Sequence, residues 1–205
     1  LKAACGQFQG RARVIELGGS GPFLIEPITL GELDRIVIRA ASGSQPVLML
    51  QGRPASPEQG WLRLRGGVLE LEGLHLVVQL PVDQRPADRQ PAVAPPLLEV
   101  SSGTLALRRC TVTQADDSAA AVLCQVTESP QHPFPPRVLL YESFVRGANL
   151  TVIQARGQRP DLVIGGSLLA TGTSPLVALE LVTAPARPGS GITTPGAGTR
   201  DTGRT

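Results

Sequence analysis

Aromatic residues are scarce: the 205-residue chain has one Trp, one Tyr and four Phe. So few rings make a poor stacking surface for single-stranded nucleic acid. A formal net charge of +2, with no block of like charges, leaves no electrostatic footprint for a phosphate backbone either. No apolar run is long enough to cross a bilayer as a helix, because the longest uncharged stretch, Leu162 to Leu179, is broken by Gly172 and Pro175. The opening LKAACGQFQG lacks the apolar segment of a secretion signal. It starts at Leu1 rather than Met, so an upstream part is expected and the compartment stays open. Lys2, Asn149 and Met49 are the single residues of their kinds, against 18 arginines. That imbalance reads as a G+C-rich coding sequence, not as a binding signal. Cys5, Cys110 and Cys124 fit no metal spacing, and an odd count argues against a secreted disulfide framework. Simple thiols are expected, with a Cys110–Cys124 bridge as the alternative.

What the chain has in excess is glycine and proline, 23 and 19 residues, about a fifth of the total where ordinary usage gives nearer an eighth. Each costs roughly 1 to 3 kcal/mol inside a helix, so long helices are excluded as the main element. The remaining hydrophobic content, 41%, is enough for a core in one domain.

An internal repeat organises that content. WLRLRGGVLELEGLHLV (Trp61 to Val77) lies without gaps over LLEVSSGTLALRRCTVT (Leu97 to Thr113), repeating Leu62, Gly67, Leu69 and Leu71 as Leu98, Gly103, Leu105 and Leu107. The second half of the unit recurs as VLLYESFV (Val138 to Val145) and LVIGGSLL (Leu162 to Leu169), and more faintly as RIVIRAAS (Arg35 to Ser42). Each unit consists of short alternating runs separated by small or polar turns, which means strands with one face inward. Leu62, Leu64, Leu69 and Leu71 point in; a bend at Gly73 resets the phase so that Leu74 and Leu76 also point in. Three short strands per unit with corners between them describe one coil of a parallel β-solenoid. Equivalent positions Leu71, Leu107, Leu140 and Ile164 are 36, 33 and 24 residues apart. Coils of about 22 to 24 residues with variable loop insertions give such offsets. The Pro-rich stretches Gln79 to Pro96 and Thr127 to Pro136 are outward loops, since proline cannot donate to a ladder. This reading makes residues 1–13 a lead-in, 14–183 the solenoid and 184–205 a disordered Gly/Pro/Thr-rich tail.

The units LRLRGGVLELEGLHLV, LEVSSGTLALRRCTVT and DLVIGGSLLATG resemble rungs of the right-handed parallel β-helix (pectate-lyase-like) superfamily. The opening VIELGGSGPFLIEPITL, with LDRIVIRAASGSQPVLML, resembles the first coils of β-helix domains in large bacterial multidomain proteins, some of which also carry Ser/Thr kinase domains. The resemblance spans roughly Val14 to Val182. It implies an all-β single-stranded right-handed parallel β-helix, with little said about activity. One departure is the missing Asn ladder, for which this chain has only Asn149. The rival is a leucine-rich repeat, because Leu71, Leu74, Leu76 and Gln79 keep its L-x-x-L-x-L-x-x-Q spacing.

Candidate chemistry is thin. His75 alternates outward in register with Thr111, Phe144 and Leu168, and His132 lies in a Pro-rich loop, so neither is placed as a catalytic base. GGSGPF (Gly18 to Phe23) lacks the Lys-Ser/Thr of a phosphate loop and reads as a tight turn. The resembled superfamily hosts polysaccharide lyases and hydrolases, which need carboxylates clustered on one exposed sheet. Glu70, Glu72, Glu99 and Glu142 face outward, with Asp116 and Asp117 at a strand end. Yet Glu70 stacks on Ala106 and Leu139, and Glu72 on Arg108 and Tyr141, so no column puts two acids on neighbouring coils. Arg108 and Arg109, near Glu72 and Glu142, are expected to form exposed salt bridges. Leu74, Cys110, Ser143 and Ser167 form an inward column, where a hydroxyl can bond a neighbouring carbonyl and Cys110 is inert. Asn149-Leu150-Thr151 is an incidental glycosylation sequence. No catalytic, metal or cofactor residue is assigned, and the ligand-binding residues are unknown. The expectation is a non-catalytic scaffold or binding module that contacts a protein or glycan (polysaccharide) partner within a larger bacterial protein. The alternative is a carbohydrate-active enzyme using Asp116, Asp117 and Glu142.

Overall fold

Eighteen short strands account for the regular structure, in a computed structural model that describes residues 13–31, 35–50, 59–78, 96–115, 120–127, 129, 134–157 and 159–180. They run β1 (Arg13–Leu17), β2 (Phe23–Ile25), β3 (Ile28–Leu30), β4 (Ile36–Ala40), β5 (Val47–Leu50) and β6 (Leu62–Leu64). There follow β7 (Val68–Glu72), β8 (His75–Val78), β9 (Leu98–Val100), β10 (Thr104–Arg108), β11 (Thr111–Gln114) and β12 (Ala121–Thr127). The last six are β13 (Arg137–Tyr141), β14 (Phe144–Gly147), β15 (Leu150–Arg156), β16 (Asp161–Gly165), β17 (Leu168–Thr171) and β18 (Val177–Glu180).

Every third strand joins the same sheet. The first sheet is β1-β4-β7-β10-β13-β16, the second is β2-β5-β8-β11-β14-β17, and the third is β3-β6-β9-β12-β15-β18. All pairings are parallel. Three strands therefore make one coil, coils stack into three walls, and the chain is an all-β parallel β-helix. No helix occurs among the described residues, which removes the leucine-rich repeat.

The register is the one that the repeats imply. Ile15, Ile38, Leu71, Leu107, Leu140 and Ile164 are stacked partners on the first wall. On the second wall Val47, His75, Thr111, Phe144 and Leu168 stack outward. Leu69, Leu71, Leu105, Leu107 and Leu140 are fully buried, as are Leu64 and Leu74. Alternation lapses on the third wall, where β12 and β15 both skip a residue between the pairs Val122↔Thr151 and Cys124↔Ile153, and Leu123, Cys124, Val152 and Ile153 are all buried.

Two corners show why these sequences turn where they do. Between third and first walls, Gly103 has φ +84°, and a Cβ there would lie 2.2 Å from the Gly67 carbonyl oxygen, so only glycine lets successive coils close up. Between first and second walls, Gly73, Arg109, Glu142 and Gly166 share a positive φ, at 66°, 52°, 50° and 59°. The next residues, Leu74, Cys110, Ser143 and Ser167, turn inward. Ser143 Oγ donates to the Tyr141 carbonyl (2.8 Å) and accepts from the Cys110 N–H (3.2 Å). Ser167 Oγ donates to the Gly165 carbonyl (3.1 Å) and accepts from the Ser143 N–H (3.1 Å). Cys110 Sγ closes the row against the carbonyls of Leu71 (3.3 Å) and Arg108 (3.4 Å). Hydroxyls and a thiol thus satisfy the corner backbone where an asparagine ladder would otherwise do so.

Cys110 and Cys124 are both buried and free, so the bridge between them is not formed. Burial raises the Cys110 thiol to about 11 and the Cys124 thiol to about 12. Cys5, Asp116, Asp117, His132, the stretch 79–95 and the tail lie outside the described residues.

Candidate functional site: the outer walls

The first wall carries the carboxylates, and its register alternates their sign. Glu16, Arg39, Glu72, Arg108 and Tyr141 are consecutive partners along one outward column. Arg39 Nε donates to Glu16 at 2.9 Å, and that bond raises the guanidinium pKa. Arg109 bonds Glu72. Arg108, opposite Glu72 in register, reaches instead to Glu70, Nε to Oε1 2.7 Å, and its guanidinium lies 5.0 Å from the Tyr141 ring centre. Arg35 grips the other oxygen of Glu70 at 2.7 Å, and Arg137 pairs Asp161 at 2.9 Å.

These contacts correct two expectations. Glu70 points outward as its phase requires, but Arg35 and Arg108 cover it and it is buried. Among the expected salt bridges, Arg109–Glu72 forms, while Arg108 pairs with Glu70; Glu142 stands exposed at its corner. Both carboxylate oxygens of Glu70 are thus occupied, one by Arg35 and one by Arg108. The groove at the corner of first and second walls, about 460 Å³, is bordered by Glu16, Arg39, Ser42, Ser44, Glu72 and Arg109. Its charges come as two closed pairs, and Ser44 Oγ already accepts from the Gly19 N–H at 3.0 Å.

The third wall is polar and covered. Glu99 accepts from the Gly60 N–H at 2.8 Å and lies 2.9 Å from Arg63 Nε, buried despite its outward phase. Gln125 follows Glu99 in register, and Gln154 follows Gln125. The Gln125 amide is satisfied with its oxygen toward Arg156, 3.3 Å from Nε.

The second wall is different. Its outward positions run Val47, His75, Thr111, Phe144 and Leu168 in one column and Leu24, Met49, Val77, Thr113, Arg146 and Ala170 in the next. Arg146 is the one Arg, Lys, Asp or Glu in these two columns. His75 Nε2 lies 3.1 Å from Thr113 Oγ1, and half-burial, then the Arg146 charge, lowers its pKa. Arg146 also borders a groove of about 500 Å³ at the corner with the third wall, floored by Gly147, Ala148 and Gly172. Asn149, the incidental glycosylation residue, accepts a 2.9 Å bond from Thr173 Oγ1.

Sequence reading placed Glu70, Glu72, Glu99 and the His75 column outward and expected an arginine at Glu72, but it missed the partners of Glu70 and Glu99, because Arg35 and Glu70 are 35 residues apart and meet only once coils stack. No cluster of three metal-ligating side chains occurs among the described residues, and no helix there is long and apolar enough to cross a membrane. Neither a family model, nor a curated protein, nor a solved structure matches the chain. The pectate-lyase-like likeness therefore stays a resemblance of rungs, within a parallel β-helix that the strand pairing itself establishes.

Proposed function

We propose that the chain is a non-catalytic β-helix scaffold or binding module that contacts a protein or glycan partner within a larger bacterial protein. The observation that carries this reading is the pairing of the outward carboxylates. Glu16, Glu70, Glu72, Glu99 and Asp161 each hold an arginine, the arrangement of a rigid outer wall rather than of an acid–base pair poised over substrate. The second wall supports it further: a parallel sheet with Phe144, Leu168, Met49 and Val77 outward offers apolar area, and Thr111, Thr113 and Arg146 add hydrogen-bonding groups in the same two columns.

The test is a panel of acidic and neutral polysaccharides incubated with the purified chain, with and without calcium, monitored for new reducing ends and for unsaturated products. No turnover is expected. Turnover that disappears in Asp116→Ala or Asp117→Ala would overturn the reading and establish the carbohydrate-active enzyme in its place.

A further inference from the structure

We propose that the groove at the corner of the second and third walls takes an acidic segment of a protein partner, a carboxylate side chain flanked by apolar residues, with Arg146 as its anchor. This rests on the reading of the chain as a binding module and names the chemistry of the partner.

Arg146 is set apart from the other described arginines carried on strands. Arg39, Arg63, Arg108 and Arg137 each hold a carboxylate, and Arg13 and Arg156 have partners of their own. Arg146, on β14, is exposed and makes no hydrogen bond or ion pair among the described residues. Register gives the reason. The first wall sets Arg39 between Glu16 and Glu72, whereas the second sets Arg146 between Thr113 and Ala170. A guanidinium has five donors and no acceptor, and a carboxylate matches it by taking two of those donors side by side.

The surroundings leave room for such a group. Beside Arg146 the groove of about 500 Å³ is floored by Gly147, Ala148 and Gly172. Both glycines are required there. A Cβ on Gly147 would lie 2.5 Å from Gln114 Oε1, and one on Gly172 would lie 2.6 Å from the Ala148 carbonyl oxygen. Backbone, not side chain, therefore forms much of the floor. Thr113, the register neighbour of Arg146, adds a hydroxyl that lies 3.1 Å from His75 Nε2.

The same two columns favour a protein over a glycan. Phe144 and Leu168 stand in the outward column beside Arg146, and Val77 and Met49 continue its own. A sugar chain presents hydroxyls on all sides, and flat polar side chains and aromatic faces suit it. These columns hold no Asn, Gln, Asp or Glu, and Phe144 is their one Phe, Tyr or Trp. Aliphatic area next to a cation suits apolar side chains next to an acid. The sign is set by charge complementarity, since Arg146 and His75 are the titratable groups of these columns and neither carries negative charge.

Random linear peptides displayed on phage and selected on the immobilised full chain test this, the recovered sequences being synthesised and titrated by fluorescence anisotropy. The expected sequences carry Asp or Glu with an apolar residue beside it or two positions along, and bind more weakly as salt rises. Asn or Gln in place of that acid, or Arg146→Ala in the chain, should each weaken binding about tenfold or more. Ala170→Glu should do the same with an unchanged β-sheet spectrum, by giving Arg146 a partner in register as Glu16 gives Arg39. Arg159→Ala, at an exposed position between β15 and β16, should leave binding as it was. Peptides that lack a carboxylate, or that bind Arg146→Ala and Ala170→Glu as well as the parent chain, overturn the proposal, as does a failure to select any peptide. Alginate that binds through Arg146 where no such peptide does would give the groove to a glycan and overturn it too. The module reading fails separately: polysaccharide turnover sinks that reading, whereas a failed peptide result without turnover sinks this proposal alone.

Discussion

Cys110 illustrates how a single side chain is decided by its column. The sequence LRRC-TVT offers no reason to bury a cysteine between two arginines and two threonines, except that Cys110 occupies the inward corner slot shared with Leu74, Ser143 and Ser167. In the fold its sulfur rests on two carbonyl oxygens and its thiol is held protonated by desolvation, up to about 11, while Cys124 inside the third wall rises to about 12. Because the folded state raises both pKa values above the ordinary 9.0 of a thiol, the stability these groups contribute is complete below that range. It falls away as pH climbs through the folded values. Neither sulfur offers a thiolate at neutral pH. In a Cys5→Ser variant, iodoacetamide at pH 8 should therefore modify nothing in the native chain and both remaining cysteines once it is unfolded in guanidinium, read by intact mass. Native modification of Cys110 at a rate above that of global unfolding would show that its column does not point inward. The same scale shows what composition hid. Arg109 and Glu142 adopt the left-handed conformation that Gly73 and Gly166 take at the same corner. Aligning the four corners displays this, but residue type alone would never suggest a positive φ for either.

At the scale of elements, the alternation of short runs was enough to place the strands, corner and register of the first two walls from β7 onward, because a parallel wall with one buried face fixes phase at every residue, while β12, β15 and β18 of the third wall lie outside the repeats it found. The pairs Leu71↔Leu107↔Leu140↔Ile164 follow directly from repeats 36, 33 and 24 residues apart. Side-chain pairing between walls and coils was not legible in this way. Whether Arg108 turns to Glu72 opposite it or to Glu70 one pleat back depends on what else reaches each acid: Arg109 already holds Glu72, and Tyr141 supports the guanidinium from the other side. The energetic centre of the element stack is the leucine column. Leu107 on β10 is fully buried and is contacted above and below by Leu71 and Leu140. Leu107→Ala should lower unfolding free energy by about 2 to 5 kcal/mol, through lost transfer energy and a cavity that stacked neighbours cannot collapse to fill. Equilibrium urea denaturation measures it. A loss under about 1 kcal/mol would place Leu107 outside the core.

The whole molecule is a stack in which each coil is stabilised by the coils on either side, so its ends set how it opens. Glycine and proline, which at first count against order, are divided between two roles: glycine at the corners that let walls approach, proline in the stretches between strands. The interior needs few aromatics because three narrow walls are filled by stacked Leu, Val and Ile, Trp61 being the one fully buried ring among the described residues. Central coils, closed on both sides, should show slower amide exchange than the coil at 161–180, whose Ile164, Val177 and Leu179 are exposed. Hydrogen exchange read by mass spectrometry should therefore show slower exchange in peptides spanning 68–72 and 104–108 than in peptides spanning 161–180. Equal protection of all three would mean that the stack opens as one cooperative unit rather than coil by coil.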